Sequence, residues 1–181
     1  MNEERNYQIC TKTVMDTTGD PDITFDESGV CNYYYEFKEK LKVRVPEGKA
    51  AKEELDYLVN KIKEEGKSAK YDCVIGISGG VDSTYTAWLV KQLGLRPLAI
   101  HLDNGWDSEL AVKNIENILN KLEIDLYTEV LDWEMFRDLQ LSFLKASTPD
   151  GEIPTDHAII SILYQMANKF NVKYIVSGMN F

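Results

Sequence analysis

Ser78-Gly79-Gly80-Val81-Asp82-Ser83 decides the fold. An apolar run, Tyr71-Asp72-Cys73-Val74-Ile75-Gly76-Ile77, leads into it and reads as a buried parallel strand. Residues 84–93 follow, with Ala87, Trp88, Leu89, Val90 and Leu93 forming one broad apolar face of a helix. A strand, a tight glycine turn and a helix N-terminus make an anion site. Gly79 and Gly80 carry no Cβ, so the backbone can turn sharply and approach a ligand closely. The first-turn N–H groups lack intrahelical acceptors, and the helix dipole favours negative charge beside them. Ser78 and Ser83 add hydroxyl donors. The ligand implied is a phosphate chain.

The kinase-type P-loop needs four residues between its glycines and then Lys-Ser/Thr, and no Lys stands here. The hexapeptide instead resembles the PP-loop of the ATP pyrophosphatases, which split ATP into AMP and pyrophosphate. GMP synthetase, NAD synthetase, asparagine synthetase and several tRNA-modifying enzymes share it. A bare Ser-Gly-Gly occurs in many turns. The whole string between a hydrophobic strand and an amphipathic helix is specific.

Outward from the loop, strands and helices alternate. Strand 72–77 leads to helix 83–93, strand 98–102, a helix capped by Asp107 or Ser108, strand 126–131, helix 133–144, a helix capped by Thr155, and strand 173–177. This order predicts an α/β domain with a parallel sheet and right-handed crossovers, a Rossmann-like PP-loop domain over residues 49–181. Residues 1–48 read as a small irregular module with turn signals at 19–22 and 27–29 and one short strand at 22–25. Helix 49–65 opens the larger domain. Ligands of such sheets bind at the carboxyl ends of the strands. Three predicted strand ends carry polar or glycine-rich residues: 78–83, 101–106 and 177–180.

Thirty acidic against twenty basic residues give a net charge of −10. Nucleic-acid affinity comes largely from Lys and Arg on phosphates, so the balance counts against a nucleic-acid substrate. Lys61, Lys63, Lys67 and Lys70 alternate with Glu64 and Glu65, as on a solvated helix face. Three cysteines, an odd number, argue against a disulfide framework. Residues 1–5 are polar, no apolar run is long enough to span a bilayer, and the expected location is the cytoplasm.

Beyond the loop, the chain resembles the N-acetyl sugar amidotransferases, PP-loop proteins of lipopolysaccharide and surface-glycan synthesis. The resemblance lies in Tyr7-Gln8-Ile9-Cys10, Val14-Met15-Asp16-Thr17-Thr18, Asp22-Ile23-Thr24-Phe25-Asp26 and Gly29-Val30-Cys31-Asn32. It continues in Leu102-Asp103-Asn104-Gly105-Trp106, Ser108-Glu109-Leu110 and Val176-Ser177-Gly178-Met179-Asn180. Two departures stand out. The family usually carries two Cys-x-x-Cys pairs, a zinc-ribbon spacing, whereas here Thr13 and Tyr34 stand where the partners of Cys10 and Cys31 would be. The expectation is therefore a degenerate zinc-ribbon-like module without zinc, Cys10 and Cys31 being the residue of its site. Family members also continue past the position of Phe181, so the ATP-binding domain is expected to be incomplete at its C-terminus.

The resemblance implies the conversion of an N-acetyl group on a nucleotide-linked sugar into an acetamidino group by adenylation, with ATP and Mg²⁺. Ser78, Gly79, Gly80, Val81, Asp82 and Ser83 would bind the phosphates, with Asp82 and Ser83 nearest the chemistry. Val81 stands where the family often has Lys, a change of little weight if the loop binds through its backbone. Asp82 would hold Mg²⁺ or its waters, or serve as a helix-start carboxylate. Asp103 would act near metal or ribose, or as a turn residue before Asn104-Gly105. Gly178 would let adenosine or substrate approach the fourth strand. His101 and His157 read as structural and solvent-facing, and Cys73 as core. No Cys-His-Glu glutaminase pattern is present, so a separate glutaminase, with a cyclase-like ammonia-channelling partner, is implied. Two alternatives remain: a tRNA-modifying PP-loop enzyme of the thiolase or lysidine type, and a non-catalytic nucleotide-binding protein.

Overall fold

The computed structural model describes residues 5–179. Met1 to Glu4, Asn180 and Phe181 lie outside the described residues, and with them the end of the 177–180 signature. The chain divides into two compact units, Met1–Leu55 and Asp56–Phe181.

The first unit is built on turns. Two isolated antiparallel bridges, Ile9 with Asp16 and Phe25 with Cys31, pin its loops. Cys10, Ile23, Val30 and Cys31 form its core, with Met15, Phe25, Tyr33 and Tyr34 packed around them. The expected strand at 22–25 is reduced to the single bridge at Phe25. A helix, α1 (Asn32–Arg44), stands where irregular chain was expected. It buries none of its residues, so no apolar stripe announced it. Local side-chain bonds hold its start: Asn32 Nδ2 to Glu36 Oε1 at 3.1 Å, and Tyr35 Oη to Asp26 Oδ2 at 2.7 Å.

The helix α2 (Gly48–Gly66) begins in the first unit and ends in the second. The second unit then alternates: β1 (Cys73–Gly76), α3 (Val81–Gln92), β2 (Pro97–Asp103), α4 (Glu109–Leu122), β3 (Asp125–Val130), α5 (Trp133–Lys145), α6 (Ile153–Lys169) and β4 (Ile175–Val176). The strands form one parallel sheet in the order β3-β2-β1-β4. Buried side chains alternate along β1. Cys73, Ile75 and Ile77 pack with Ala87 and Val90 of α3 and with Ile115 and Leu119 of α4. Val74 joins Leu98, Ile100 and the α6 residues Ile162, Met166 and Ala167. Helices thus cover both faces of a parallel sheet, as the strand–helix order predicts.

Asp72, 3% exposed, locks the entry to β1. Its Oδ2 accepts the Arg96 backbone N–H at 2.8 Å and Nε–H at 3.1 Å, and its Oδ1 accepts Nη2–H at 2.6 Å. The same guanidinium donates to the carbonyls of Ala69 and Gly66. Two helix starts bear on the expected caps. Ser108 caps α4 by accepting the Ala111 N–H at 3.1 Å. Thr155 does not cap α6: Glu152 stands at that position, Pro154 occupies the first turn, and Thr155 Oγ1 is buried without a hydrogen bond. The proline, with fixed φ and no N–H, starts the helix earlier than the threonine would.

Candidate functional site

Strand order runs outward from β1 in both directions, towards β2 on one side and β4 on the other. The carboxyl end of β1 is therefore the switch point at which open α/β sheets bind ligands. Residues 78–83 stand there. Gly79 turns the chain with φ of +74°, and a Cβ at this position would meet the Ala111 carbonyl oxygen at 2.4 Å. Only glycine fits, because the backbone is left-handed and α4 lies against it. Gly80 differs. Its backbone is extended (φ −79°, ψ 168°), and a Cβ there would meet nothing nearer than Ser78 Oγ at 3.5 Å. The second glycine leaves space open in front of the helix rather than relieving a clash within the fold.

Gly80 occupies the N-cap of α3 and supplies no side-chain cap. The first-turn N–H groups thus point into that space with no cap to satisfy them. Ser78 N–H donates to Ser83 Oγ at 3.2 Å, the two hydroxyls are 3.2 Å apart, and Ser83 Oγ–H reaches the Gly80 carbonyl at 3.2 Å. Amides, two hydroxyls and a helix dipole converge on one concavity. That donor set fits an anion with several oxygens. Asp82 lies in the first turn, where the helix dipole favours a carboxylate.

The neighbouring elements fix the loop. Asn114 Nδ2 of α4 donates to the Gly79 carbonyl at 3.3 Å. A cleft of about 470 Å³ runs along this flank, lined by Gly79, Gly80, Val81 and Thr84 and by Asn117 and Lys121 of α4. Gly178, just beyond β4, sits against the first turn of α3. A Cβ there would meet Thr86 Oγ1 at 2.5 Å and the Asp82 carbonyl oxygen at 3.1 Å. Its missing side chain makes room for α3. Asp103 ends β2, and its Oδ1 accepts the Gly105 N–H at 2.9 Å, which is the turn geometry. Sequence reasoning missed one tie here. His101, 8% exposed, places Nδ1 3.1 Å from the Ile77 carbonyl oxygen and Nε2 3.2 Å from Asp107 Oδ2. It links the residue before the phosphate loop to the loop after β2. A histidine followed six residues later by an aspartate carried no signal of this.

Cys10 and Cys31 come together in the other unit. Cys10 Sγ accepts the N–H groups of Cys31 at 3.2 Å and Lys12 at 3.4 Å, and Thr13 Oγ1 lies 3.6 Å from Cys31 Sγ. Burial pushes the Cys10 thiol up, but the Thr13 hydroxyl and these two amides outweigh it and bring the pKa down to about 6. Two thiols are half of a closed zinc set. Among the described residues, no three His, Cys, Asp or Glu side chains gather to hold a metal. Cys73 is fully buried in β1, and its thiol is pushed up to about 12 by that burial.

A parallel sheet with an uncapped Ser-Gly-Gly-x-Asp-Ser helix start at its switch point defines a PP-loop nucleotide-binding domain. Residues 50–180 match the NAD synthase family, and the chain belongs to that family. An uncharacterised protein of Methanocaldococcus jannaschii is 27% identical over 138 residues, which are 74% of this chain and 46% of that protein. A tRNA-specific 2-thiouridylase of Fusobacterium nucleatum subsp. nucleatum is 27% identical over 112 residues, 58% of this chain and 32% of the relative. The chain thus spans less than half the length of these relatives. A glutamine-dependent NAD+ synthetase from Acinetobacter baumannii, solved in complex with adenosine diphosphate, shares the fold. Its TM-score is 0.53 at 16% identity, over 66% of this chain and 23% of that one. Among the described residues, no helix is long and apolar enough to cross a membrane.

Proposed function

We propose that this chain is the ATP-binding part of an ATP-pyrophosphatase-type ligase that activates the amide of an N-acetylated, nucleotide-linked sugar for attack by ammonia. The observation that carries the nucleotide half is the concavity of residues 78–83, where an open Gly80 faces uncapped amides at the switch point. Membership of the NAD synthase family supports the coarser statement. The sugar half rests on the signature stretches 7–32 and 102–110.

In this reading the loop amides and the Ser78 and Ser83 hydroxyls hold the β- and γ-phosphates. Mg²⁺ would neutralise phosphate charge, and the Asp82 carboxylate would hold it or its waters. The amide oxygen attacks the α-phosphorus and the bond to the β-phosphate oxygen breaks, releasing pyrophosphate. Ammonia then adds to the imidate carbon, the C–O bond breaks, and AMP leaves, with loss of a proton giving the acetamidino group. The loop acts by positioning and by electrostatic stabilisation rather than by proton transfer. In the same reading ammonia comes from a glutaminase, with a cyclase-like partner to channel it.

The thiouridylase relatives favour a second reading, a tRNA-modifying enzyme. The charge of −10 and the buried Cys73 weigh against it. Exchange of labelled pyrophosphate into ATP separates the readings. The sugar reading requires exchange that depends on an N-acetylated nucleotide sugar. Exchange that depends on tRNA instead would overturn it.

A further inference from the structure

Two tryptophans rise from the carboxyl ends of β2 and β3, the two strands on one side of β1. Trp106 follows β2 and Trp133 opens α5 after β3. Their rings meet edge to face, with centroids 5.3 Å apart and planes at 74°. They remain 64% and 40% exposed. Together they present one joined aromatic surface, the kind of apolar face that a ligand can cover.

The corner they form is rigidly held. Trp106 Nε1–H donates to Gln140 Oε1 at 2.6 Å, and Gln140 is itself 8% exposed. Gly105 has φ of +85°, and a Cβ there would meet Trp133 Cε3 at 2.5 Å. The Asp103 and Asn104 side chains accept the N–H groups of Gly105 and Trp106, fixing the turn between them. His101 Nδ1 lies within hydrogen-bond distance of the Ile77 carbonyl, and its Nε2 is 3.2 Å from Asp107 Oδ2 of the same segment. A mobile surface aromatic would have none of these anchors.

Asp103 pairs with Val130 across β2 and β3, so both tryptophans rise from the carboxyl edge that carries the phosphate loop. One strand spacing, ~4.8 Å, separates β2 from β1, which feeds that loop. Asp103 and Asp132 flank the pair, each holding a backbone N–H through Oδ1 and keeping Oδ2. Aromatic faces take the C–H surface of a pyranose, and these carboxylate oxygens can accept from its hydroxyls.

We propose that Trp106 and Trp133 form the stacking platform for the pyranose ring of the acceptor sugar. This rests on the proposed sugar substrate and locates where that sugar lies. The test titrates the full chain with UDP-N-acetylglucosamine and UDP-N-acetylgalactosamine, read by tryptophan fluorescence and by calorimetry, with ATP–Mg²⁺ titrated separately. The expected result is a sugar-dependent quench in the unaltered protein. Affinity should fall at least tenfold in Trp106→Ala and stay within about threefold in Trp106→Phe. ATP affinity should not change in either, and the melting temperature should fall in both, because Gln140 loses its donor. Sugar binding unaltered in Trp106→Ala overturns the platform and leaves the proposed function standing. No binding of either sugar by the unaltered protein, with ATP still bound, overturns both. Equal loss of ATP and sugar binding in Trp106→Ala also overturns the platform, since the residue would then be supporting the loop.

Discussion

Adjacent glycines in the loop should fail in opposite ways when each is replaced by alanine. Gly79→Ala puts a side chain on a backbone at φ +74° and drives its Cβ to 2.4 Å from the Ala111 carbonyl oxygen. The left-handed conformation costs roughly 1–2 kcal/mol for a residue with a Cβ. Overpacking against a backbone atom that cannot rotate away costs roughly 1–3 kcal/mol more. The sum is about 2–5 kcal/mol, and the melting temperature should fall by roughly 6 °C or more. Gly80→Ala adds its Cβ to open space, 3.5 Å from Ser78 Oγ, on a backbone any residue adopts. Alanine is a slightly poorer N-cap than glycine, and the stiffer unfolded chain offsets that loss, so stability should stay within about 0.5 kcal/mol. Yet the new methyl occupies the space in front of the α3 amides, and ATP affinity should fall tenfold or more. Thermal melting and ATP titration of the two variants check both halves. A Gly80→Ala protein that melts normally and binds ATP with undiminished affinity would refute the assignment of the concavity to phosphate.

Three further outcomes are expected. Asp72→Ala leaves Arg96 without its buried partner and two segments untied, so chemical denaturation should show a loss of roughly 3 kcal/mol, while Arg96→Lys, which keeps the charge but loses the fork, should cost less. The first unit should hold at most substoichiometric zinc by elemental analysis, and Thr13→Cys with Tyr34→Cys should create a stoichiometric site if Cys10 and Cys31 keep their present proximity. Cys10 is ionised above about pH 6 in the fold but only above roughly 8.5 when unfolded, so its contribution is present at high pH and is lost as pH falls from about 8.5 through 6. Denaturation of the first unit across that range should show stability falling with pH, and Cys10→Ser should flatten the slope.

Much of the second unit was legible because its signals are local. The buried run before Ser78 and the apolar periods after it fix strand and helix, and their alternation fixes a parallel sheet. The loop glycines were legible as a pair but not as individuals. Gly79 is needed for the approach of α4, Gly178 for the approach of α3, and Gly80 alone faces open space, distinctions set by residues distant in sequence. Helix α1 was hidden because its stabilising bonds run from tyrosines and Asn32 to acids rather than through an apolar stripe. Thr155 misled as a cap because Pro154, one residue earlier, already starts the helix. His101 and Asp107, and Trp106 with Gln140, are joined only when β2 and α5 take their places.

In the proposed function, residues 78–83 bind the phosphate chain of ATP through the β- and γ-phosphates. Calorimetric titration of the 181-residue chain with ATP–Mg²⁺, repeated in the presence of inorganic pyrophosphate, tests it directly. One ATP per chain is expected, displaced competitively by pyrophosphate, with AMP a much weaker ligand. ATP binding that pyrophosphate leaves untouched, or AMP binding as tightly as ATP, would contradict it.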